Sequence, residues 1–391
     1  MKRLGLLLGL DLLLAGCGGA AAPATTSAPT RPAASASAKP AASIVASATG
    51  GAWDDIVTAA RKEGKVEVIV GPGTNFREGV QPFTTAYPGI ELNAKGEHIR
   101  DALPRILRER QGGVYSTDVM IGAIGAGVFD QWIPQGVLDP LEPALLLPEV
   151  KDDSKWRGGL SGAWEDKAKK YIFGFISSAQ PSIVYVNRDG LPESDLPGHI
   201  TANDLMNPKL KGKIVWDDPR ELGSGVNLAT LLMKSQGEDF LRRLLSDQQP
   251  VLSRDPRQQV EWLVRGTYPV GLSIDQNELE RLRSQGLGKN VVKLEMDLGV
   301  VTAIPKFGTV ARFNKAPHPN AAIMFVNWLL SKEGQTAFTA KVRDENSRRL
   351  DVPPVSPDEA VQPGVQYVDS QSEEFAPIRA RAAEVARAAR P

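Results

Sequence analysis

Two short loops in this 391-residue chain place glycines and small polar side chains directly after a β-branched run. The first loop, GPGTN, follows KVEVIV and contains Gly73, Thr74 and Asn75. The second loop, DDPRELGSG, follows KIVW and contains Ser224 and Gly225. Glycines let backbone amides approach a ligand closely, and helix N-termini attract oxyanions such as carboxylate, phosphonate or sulfate. Both loops are therefore candidate oxyanion-binding loops, although either could equally be an ordinary tight turn between a strand and a helix.

Charged and amide side chains around the second loop could recognise the rest of a polar ligand. The guanidinium of Arg220 could pair with a carboxylate or phosphonate through two parallel hydrogen bonds. A carboxylate could meet an amine, and the candidate carboxylates are Asp217, Asp218 and Asp275. The amides that follow are Gln276 and Asn277. The alternatives are structural, because an aspartate that ends a strand often caps local amides and Asp275 has the position of a helix N-cap.

Known catalytic and cofactor-binding patterns are absent from the sequence. It contains no HExxH, GxGxxG after a strand, GxxxxGK[ST] or GxSxG motif, and its three histidines lie far apart. A single cysteine allows no internal disulfide and no CxxC zinc or redox site. The formal charge of zero gives no basic field for nucleic acid. We therefore expect a binding protein rather than an enzyme, with no resident cofactor or metal and no nucleic-acid partner.

Strand-like and helix-like runs alternate along the chain from Trp53 onwards. Short β-branched runs such as KVEVIV are typical of strands buried on both faces, and amphipathic runs such as WDDIVTAARKEG are typical of helices. This alternation predicts parallel α/β sheets. The clearest predicted helix is NAAIMFVNWLLSKEGQTAFTAK, residues 320–341. Because about 340 residues exceed one compact core, we expect two domains or one two-lobed domain.

The first seventeen residues follow the order of a secretory signal. A basic start precedes the apolar run of residues 4–10, small residues follow, and LAGC ends at Cys17, the only cysteine. LAGC resembles the bacterial lipobox, in which the cysteine is acylated and becomes the mature N-terminus. We predict a signal peptide over residues 1–16 and a lipid anchor on Cys17. Asp11 is a misfit, because a carboxylate at the centre of an inserted helix costs about 2.5–3.5 kcal/mol.

A segment dominated by Ala, Pro, Ser and Thr follows the cysteine and extends to residue 52. Such a composition buries too little apolar surface to order itself. As a flexible coil, about 35 residues would span about 30–35 Å between their ends. Residues 17–52 are therefore predicted to be a tether that holds the globular part near a membrane.

Several segments resemble, in the same order, the extracellular solute-binding proteins of ABC importers. They are TDVMIGAIGAGVFDQWIPQGVLDPLEP, PSIVYVNRDGL, ANDLMNPKLKGKIVWDDP and APHPNAAIMFVNWLLSKEGQTAF. The resemblance extends from about Lys65 to Phe338. It is to the branch with iron(III)-, thiamine- and aminoalkylphosphonate-binding members.

The resemblance implies a periplasmic-binding-protein type II fold. Two α/β lobes, each a mostly parallel sheet flanked by helices, would be joined by two crossover strands. Residues 53–178 together with 300–391 would form the first lobe, including a C-terminal helix packed on it, and residues 179–299 the second. The two glycine-containing loops would then belong to different lobes and face each other across a cleft.

The resemblance also implies a function. The chain would be a monomeric solute-binding protein, anchored by lipid to the outer face of the cytoplasmic membrane, that delivers its ligand to an ABC permease. We expect the ligand to be a small polar solute that is anionic or zwitterionic.

Ferric iron is the alternative ligand. Members of the iron(III) branch carry adjacent tyrosines after a strand that corresponds to YPVGLSI. Here Tyr268 is the first residue of YPVGLSI and so comes before the apolar part of the strand, residues 275–277 (DQN) take the place of the pair, and no two of the six tyrosines are neighbours. A tyrosine-pair iron site is therefore doubtful, whereas a carboxylate-rich site stays open because hard cations prefer oxygen ligands.

The lipid anchor can be tested at the cysteine. We expect Cys17→Ser to release the protein from the membrane fraction, because acyl chains supply about 0.8 kcal/mol of anchoring per buried CH₂. Fractionation of cells that express the wild type and the variant measures this. Membrane retention of Cys17→Ser would contradict the anchor. Asp11→Leu is the companion variant, and we expect it to raise the yield of acylated protein.

Overall fold

Strands and helices of the chain assemble into two separate sheets. The computed structural model describes residues 51–125, 127–343 and 345–389. The predicted signal peptide, Cys17 and all but the last two residues of the predicted tether lie outside these ranges. The described part belongs to one compact unit, residues 40–391.

Fourteen strands are numbered in chain order within the described ranges. They are β1 Lys65–Val70, β2 Glu91–Gly96, β3 Val119–Gly122, β4 Leu138–Asp139, β5 Phe173–Gly174, β6 Ser178–Gln180, β7 Ser182–Asn187, β8 Ile200–Thr201, β9 Ile214–Asp217, β10 Val251–Ser253, β11 Val270–Leu272, β12 Val291–Asp297, β13 Thr302–Ile304 and β14 Thr309–Phe313.

Twelve α-helices are numbered in the same way. They are α1 Gly51–Glu63, α2 Thr74–Val80, α3 Phe83–Ala86, α4 Ile99–Gln111, α5 Pro148–Lys151, α6 Ser224–Gln236, α7 Glu238–Gln248, α8 Pro256–Val264, α9 Gln276–Ser284, α10 Pro319–Leu330, α11 Lys332–Lys341 and α12 Ala376–Ala389. A short π-helix spans Val128–Trp132, and a 3₁₀ turn at Glu373–Phe375 precedes α12.

Each sheet contains three neighbouring parallel strands, and an antiparallel strand pairs with one edge of these three. The first sheet has the order β2-β1-β3-β14-β4, with β5 also paired to β14. Within it β1 is parallel to β2 and β3, and β14 is antiparallel to β3. The second sheet has the order β10-β9-β11-β7-β12-β8, with β9 parallel to β10 and β11. The predicted α/β class is confirmed, and the carboxyl ends of each parallel core share one edge.

Side chains of β1 alternate between two buried clusters on opposite faces of the first sheet. Val66, Val68 and Val70 contact the cluster built with α1, α10 and α11, whereas Ile69 contacts the cluster built with α4. Helices α6 and α7 cover one face of the second sheet, and α8 and α9 cover the other. Burial on both faces explains why KVEVIV and KIVW are continuous apolar runs.

The prediction of one continuous helix over residues 320–341 is wrong, because this segment forms two helices, α10 and α11. The Oγ of Ser331 accepts a hydrogen bond from Gly334 N at 3.1 Å and caps α11. Serine is a favoured N-cap because its oxygen satisfies an amide that has no partner within the helix. Gly334 lies so close to the Trp328 carbonyl that a Cβ would clash with it.

Two short crossover strands connect the sheets. Strand β6 leads from the first sheet into β7, and β13 returns from β12 towards β14. The two crossovers pair antiparallel, with Ser178 opposite Ile304 and Gln180 opposite Thr302. These two extended segments therefore pass between the sheets side by side at one place.

The C-terminal helix α12 differs from the expectation that it packs on the first lobe. Ala382, Val385 and Ala386 lie in the buried cluster of the second sheet, together with side chains of α6 and α7. Ala376, at the start of α12, lies in a cluster of the first sheet. Its alanine-rich sequence carries no cue to the partner surface, which explains why sequence analysis assigned the whole helix to one lobe.

A buried carboxyl pair lies near the start of this C-terminal segment. Glu165 is 3% exposed, and its Oε1 lies 3.9 Å from Nη2 of Arg348. Burial raises the pKa of Glu165 well above its ordinary range, Asp369 and Asp166 raise it further, and Arg348 opposes the rise. Burial also raises the pKa of Asp369, which hydrogen-bonds with Glu165, and Arg379 is a second nearby cation.

The raised pKa predicts a pH-dependent stability. The folded chain keeps the Glu165 proton above the unfolded pKa of about 4.3, so the stability that Glu165 contributes falls as pH rises towards its folded pKa. Glu165→Gln keeps a neutral donor to Asp369. Its free energy of unfolding should exceed that of the wild type by a margin that grows with pH, at about 1.4 kcal/mol per pKa unit.

Urea unfolding between pH 5 and pH 8 measures this margin. Glu142→Gln is a matched control on an exposed glutamate of the same region. A constant difference between Glu165→Gln and the wild type across this range would contradict the raised pKa.

Candidate functional site

The loop between β1 and α2 has little room for a side chain at Gly71. A Cβ on Gly71 would lie 2.7 Å from the ring of Phe76, whereas a Cβ on Gly73 would meet the Asn75 side-chain oxygen, which can rotate away. The Thr74 hydroxyl accepts a hydrogen bond from Nη2 of Arg77 at 3.2 Å. Gly73, Thr74 and Asn75 thus lie at the carboxyl edge of the first sheet, where open α/β sheets bind ligands.

In the loop between β9 and α6, an aspartate of the chain itself occupies the start of the helix. Asp217 Oδ2 accepts hydrogen bonds from Ser224 Oγ at 2.7 Å and from Gly225 N at 2.8 Å. A Cβ on Gly225 would collide with the Asp217 carbonyl, so this position requires glycine. The donors predicted to hold a ligand oxyanion are therefore engaged by the Asp217 carboxylate in this structure.

Arg220 forms the two-bond ion pair predicted of it, but with a carboxylate of the same loop. Its Nε and Nη2 donate to Asp218 Oδ1 and Oδ2 at 2.8 and 2.9 Å. Burial tends to raise the pKa of Asp218. The hydrogen bonds and charge of Arg220, together with the charge of Arg254, have the larger effect, so the pKa of Asp218 is lowered. A ligand anion that recruits Arg220 would have to compete with Asp218, which is only 5% exposed.

The segment after β11 completes the edge of the second sheet. Asp275 Oδ1 accepts from Glu278 N at 3.1 Å and caps α9, as the structural alternative predicted. Gln276 and Asn277 are exposed in the first turn of this helix. The backbone of Ser273 has a left-handed φ of 55°. Its Oγ donates to the Ser224 carbonyl at 3.1 Å, which joins the loop after β11 to the loop after β9.

Loops of the two sheets meet through residues that sequence analysis did not select. A Cβ on Gly125, after β3, would lie 3.5 Å from Leu222, after β9, although Leu222 is 40% exposed. Partial burial and Arg100 lower the pKa of His98, whereas Asp101 and Asp275 oppose that effect. Asp275 of the second sheet is therefore close enough to act on His98, which follows β2. The carboxyl edges of the two sheets face each other, as the predicted cleft requires.

The signals for these contacts were weak in the sequence. Leu222 is an apolar residue within the polar loop DDPRELGSG, and an apolar side chain in such a loop can indicate a contact surface. Gly125 and His98 follow strands β3 and β2, so a systematic search of the residues after every predicted strand would have found them.

The environments of the tyrosines were expected not to suit the tyrosine-pair iron site of the iron(III) branch. Burial raises the pKa of Tyr87 to about 12 and also raises that of Tyr185, which disfavours the phenolate that binds a metal. Tyr268 packs against Trp262 with ring centroids 5.3 Å apart. Among the described residues, no group of three or more His, Cys, Asp or Glu side chains is arranged to hold a metal ion.

No helix of the described ranges combines the length and the apolar character needed to cross a bilayer.

Part of the chain matches a known family. Residues 178–341 match the family model of bacterial extracellular solute-binding proteins. No curated protein matches the chain significantly. The matched range includes the second sheet, the returning crossover and helices α10 and α11.

Solved structures of low sequence identity share the fold. Iron-bound HitA from Pseudomonas aeruginosa is 17% identical, with a TM-score of 0.58 over 84% of this chain and 99% of that chain. Trichodesmium IdiA (FutA) with iron and citrate is 17% identical, with a TM-score of 0.60 over 84% and 99%. AfuA from Actinobacillus pleuropneumoniae with exogenous fructose-6-phosphate is 18% identical, with a TM-score of 0.58 over 82% and 97%.

The fold is that of a type II periplasmic binding protein. The predicted two-lobed fold is thereby confirmed. The predicted resemblance to extracellular solute-binding proteins is confirmed by the family match. We use the term first lobe for the part built on the first sheet and second lobe for the part built on the second sheet. The exact lobe boundaries and the roles of the site residues stay predictions.

The close approach of Gly225 to Asp217 gives a test of the second loop. Gly225→Ala should lower the free energy of unfolding by about 1–3 kcal/mol, because the new Cβ overlaps the Asp217 carbonyl and the backbone must shift. Gly122→Ala is the control, since a Cβ there meets no atom within 4 Å and should change stability by less than about 0.5 kcal/mol. Equal urea midpoints for the two variants would contradict this geometry.

Proposed function

We propose that the chain is a lipid-anchored solute-binding protein that captures a small polar solute between its two lobes and delivers it to an ABC permease. The observation that carries this proposal is the approach of loops from the two sheets, at Leu222 and Gly125 and at Asp275 and His98. Hinge closure around a ligand is the usual action of two-lobed binding proteins. The predicted lipid anchor on Cys17 and tether would keep such a protein within reach of a permease.

The charges at the cleft support a zwitterionic ligand best. Asp217 and Asp275 supply carboxylates at the edge of the second sheet, where a ligand amine could pair with them. The opposite edge supplies the amides and hydroxyl of Gly73, Thr74 and Asn75, which suit an oxyanion. A ligand oxyanion could also displace the Asp217 carboxylate from the start of α6, because Ser224 and Gly225 already present donors there.

Ferric iron remains the second candidate. Two of the similar structures contain iron, one of them together with citrate. Oxygen donors at the cleft include the carboxylates of Asp217 and Asp275, and hard cations prefer such ligands. Ferric citrate is therefore one arm of the test.

A thermal-shift screen separates these candidates. The panel consists of polyamines, thiamine phosphates, aminoalkylphosphonates, sulfate and ferric citrate. A true ligand should stabilise the chain by RT ln(1 + [L]/Kd), about 2.7 kcal/mol at a hundredfold excess over Kd. A shift by ferric citrate alone, with a visible charge-transfer band, would replace the organic ligand with iron. Turnover of a panel compound would contradict the binding role.

Asp275→Asn tests whether this carboxylate contacts the ligand. We expect it to weaken binding of the compound that raises Tm by at least about tenfold, because a hydrogen bond to a charged group is worth about 1.5–3 kcal/mol. Asp204→Asn is the matched control, since Asp204 also caps a helical turn of the second lobe. Calorimetric titration of both variants measures the effect. Unchanged affinity in Asp275→Asn would remove this residue from the site.

A further inference from the structure

We propose that helix α12 is a third connection between the lobes and that Arg387 is a positioning residue for the loop between β9 and α6. The inference rests on the proposed function in one respect, because the positioned loop matters only if it lines a ligand cleft. The structural claim itself concerns the chain without ligand.

The start of the helical segment is held by the first lobe. Glu373 N donates to the Glu165 carbonyl at 2.9 Å, and Glu373 Oε2 accepts from Lys167 N at 2.7 Å. Ala376 is buried in the cluster that includes Met120 of β3. Hydrogen bonds and apolar contact therefore fix this end to the first sheet.

The rest of the helix is held by the second lobe. Ala382, Val385 and Ala386 are buried against α6 and α7. Nε and Nη2 of Arg381 each donate to a carboxylate oxygen of Glu238 at 2.8 Å. This two-bond guanidinium–carboxylate pair is solvent-exposed, so it orients the contact of α12 with α7, and the buried apolar residues supply most of its stability.

A single stiff element thus joins both lobes. The 14 residues of α12 extend about 21 Å at 1.5 Å per residue. Because an α-helix bends little over this length, the lobes cannot separate without loosening one end of α12. The first-lobe end of α12 is held by Ala376 and by the hydrogen bonds of Glu373. The second-lobe end is held by three buried apolar residues and an ion pair, so its attachment is the stronger one. We infer that α12 moves with the second lobe and limits how far the lobes open.

The segment before α12 also lies along the crossovers. Ala360 forms a bridge with Ser178 of β6, and Val368 forms a bridge with Thr302 of β13. The C-terminal segment therefore contacts both crossover strands before it reaches α12. A change in the angle between the lobes therefore also moves the C-terminal segment.

Arg387 connects this helix to the candidate site. Its Nη2 donates to the Arg220 carbonyl at 2.7 Å, near the C-terminal end of α12. The same loop carries Leu222, which meets Gly125 of the first lobe. The loop between β9 and α6 is therefore held by two contacts. Arg387 of α12 binds its backbone at Arg220, and Gly125 of the first lobe meets it at Leu222.

Hydrogen exchange of the full-length chain, without ligand, tests the role of Arg387. Arg387→Ala should make the amides of residues 220–223 exchange several-fold faster, because the loop loses its outer hydrogen bond. Arg387→Lys should restore protection, since an ammonium can also donate to the Arg220 carbonyl. Glu384→Ala, an exposed change on the same helix, should leave the loop at the wild-type rate. Wild-type exchange in Arg387→Ala would overturn the positioning role.

Small-angle X-ray scattering of the same ligand-free protein tests the connection between the lobes. Val385→Asp combined with Arg381→Ala should increase the radius of gyration, because α12 then loses both a buried apolar contact and its ion pair with the second lobe. Arg242→Ala is the matched control, since it removes the other arginine bound to Glu238 without touching α12. A radius equal to that of the wild type in the double variant, with an unchanged circular dichroism spectrum, would overturn the connection.

The two proposals fail separately. If the scattering and exchange changes occur but no panel compound binds, the connection stands and the solute-binding function fails. If a compound binds and neither measurement changes, the function stands and the role of α12 is overturned.

Discussion

The pairing of β6 with β13 is the constraint on which the rest of the structure depends. This short antiparallel ladder, from Ser178–Ile304 to Gln180–Thr302, brings the two extended passages of the chain between the lobes to one place. Rotation about that place brings the lobes together or moves them apart. The parallel cores of both sheets direct their carboxyl ends towards the same gap, so the loops after β1, β2 and β3 oppose the loops after β9 and β11.

Within that gap, hydrogen-bond donors of the second lobe are bound by carboxylates of the same lobe. The Asp217 carboxylate lies where a ligand oxyanion was expected, and Asp218 holds the guanidinium of Arg220. These contacts keep the loop ordered without a ligand and determine what a ligand must offer. An anion has to displace a carboxylate of the chain, whereas an amine meets carboxylates that are already in position. This asymmetry is the physical reason for preferring a zwitterion to a simple anion.

Local patterns predicted the strands and loops well, and long-range packing was harder to predict. KVEVIV and KIVW identified β1 and β9, and the turns after them identified the two site loops. Strand β14, in the middle of the first sheet, was missed because TVARF is short and interrupted by an arginine. The partners of Arg220, Asp217 and α12 depend on which of several nearby groups lies closest, which residue spacing does not encode.

The central claim is that one solute is held by both lobes at once. Hydrogen exchange of the full-length chain, with and without the panel compound that raises Tm, tests it most directly. The account predicts slower exchange on binding in residues 71–75 of the first lobe and, at the same compound concentration, in residues 217–225 and 273–277 of the second. Protection confined to one lobe, or lying outside these loops, would contradict a site between the lobes.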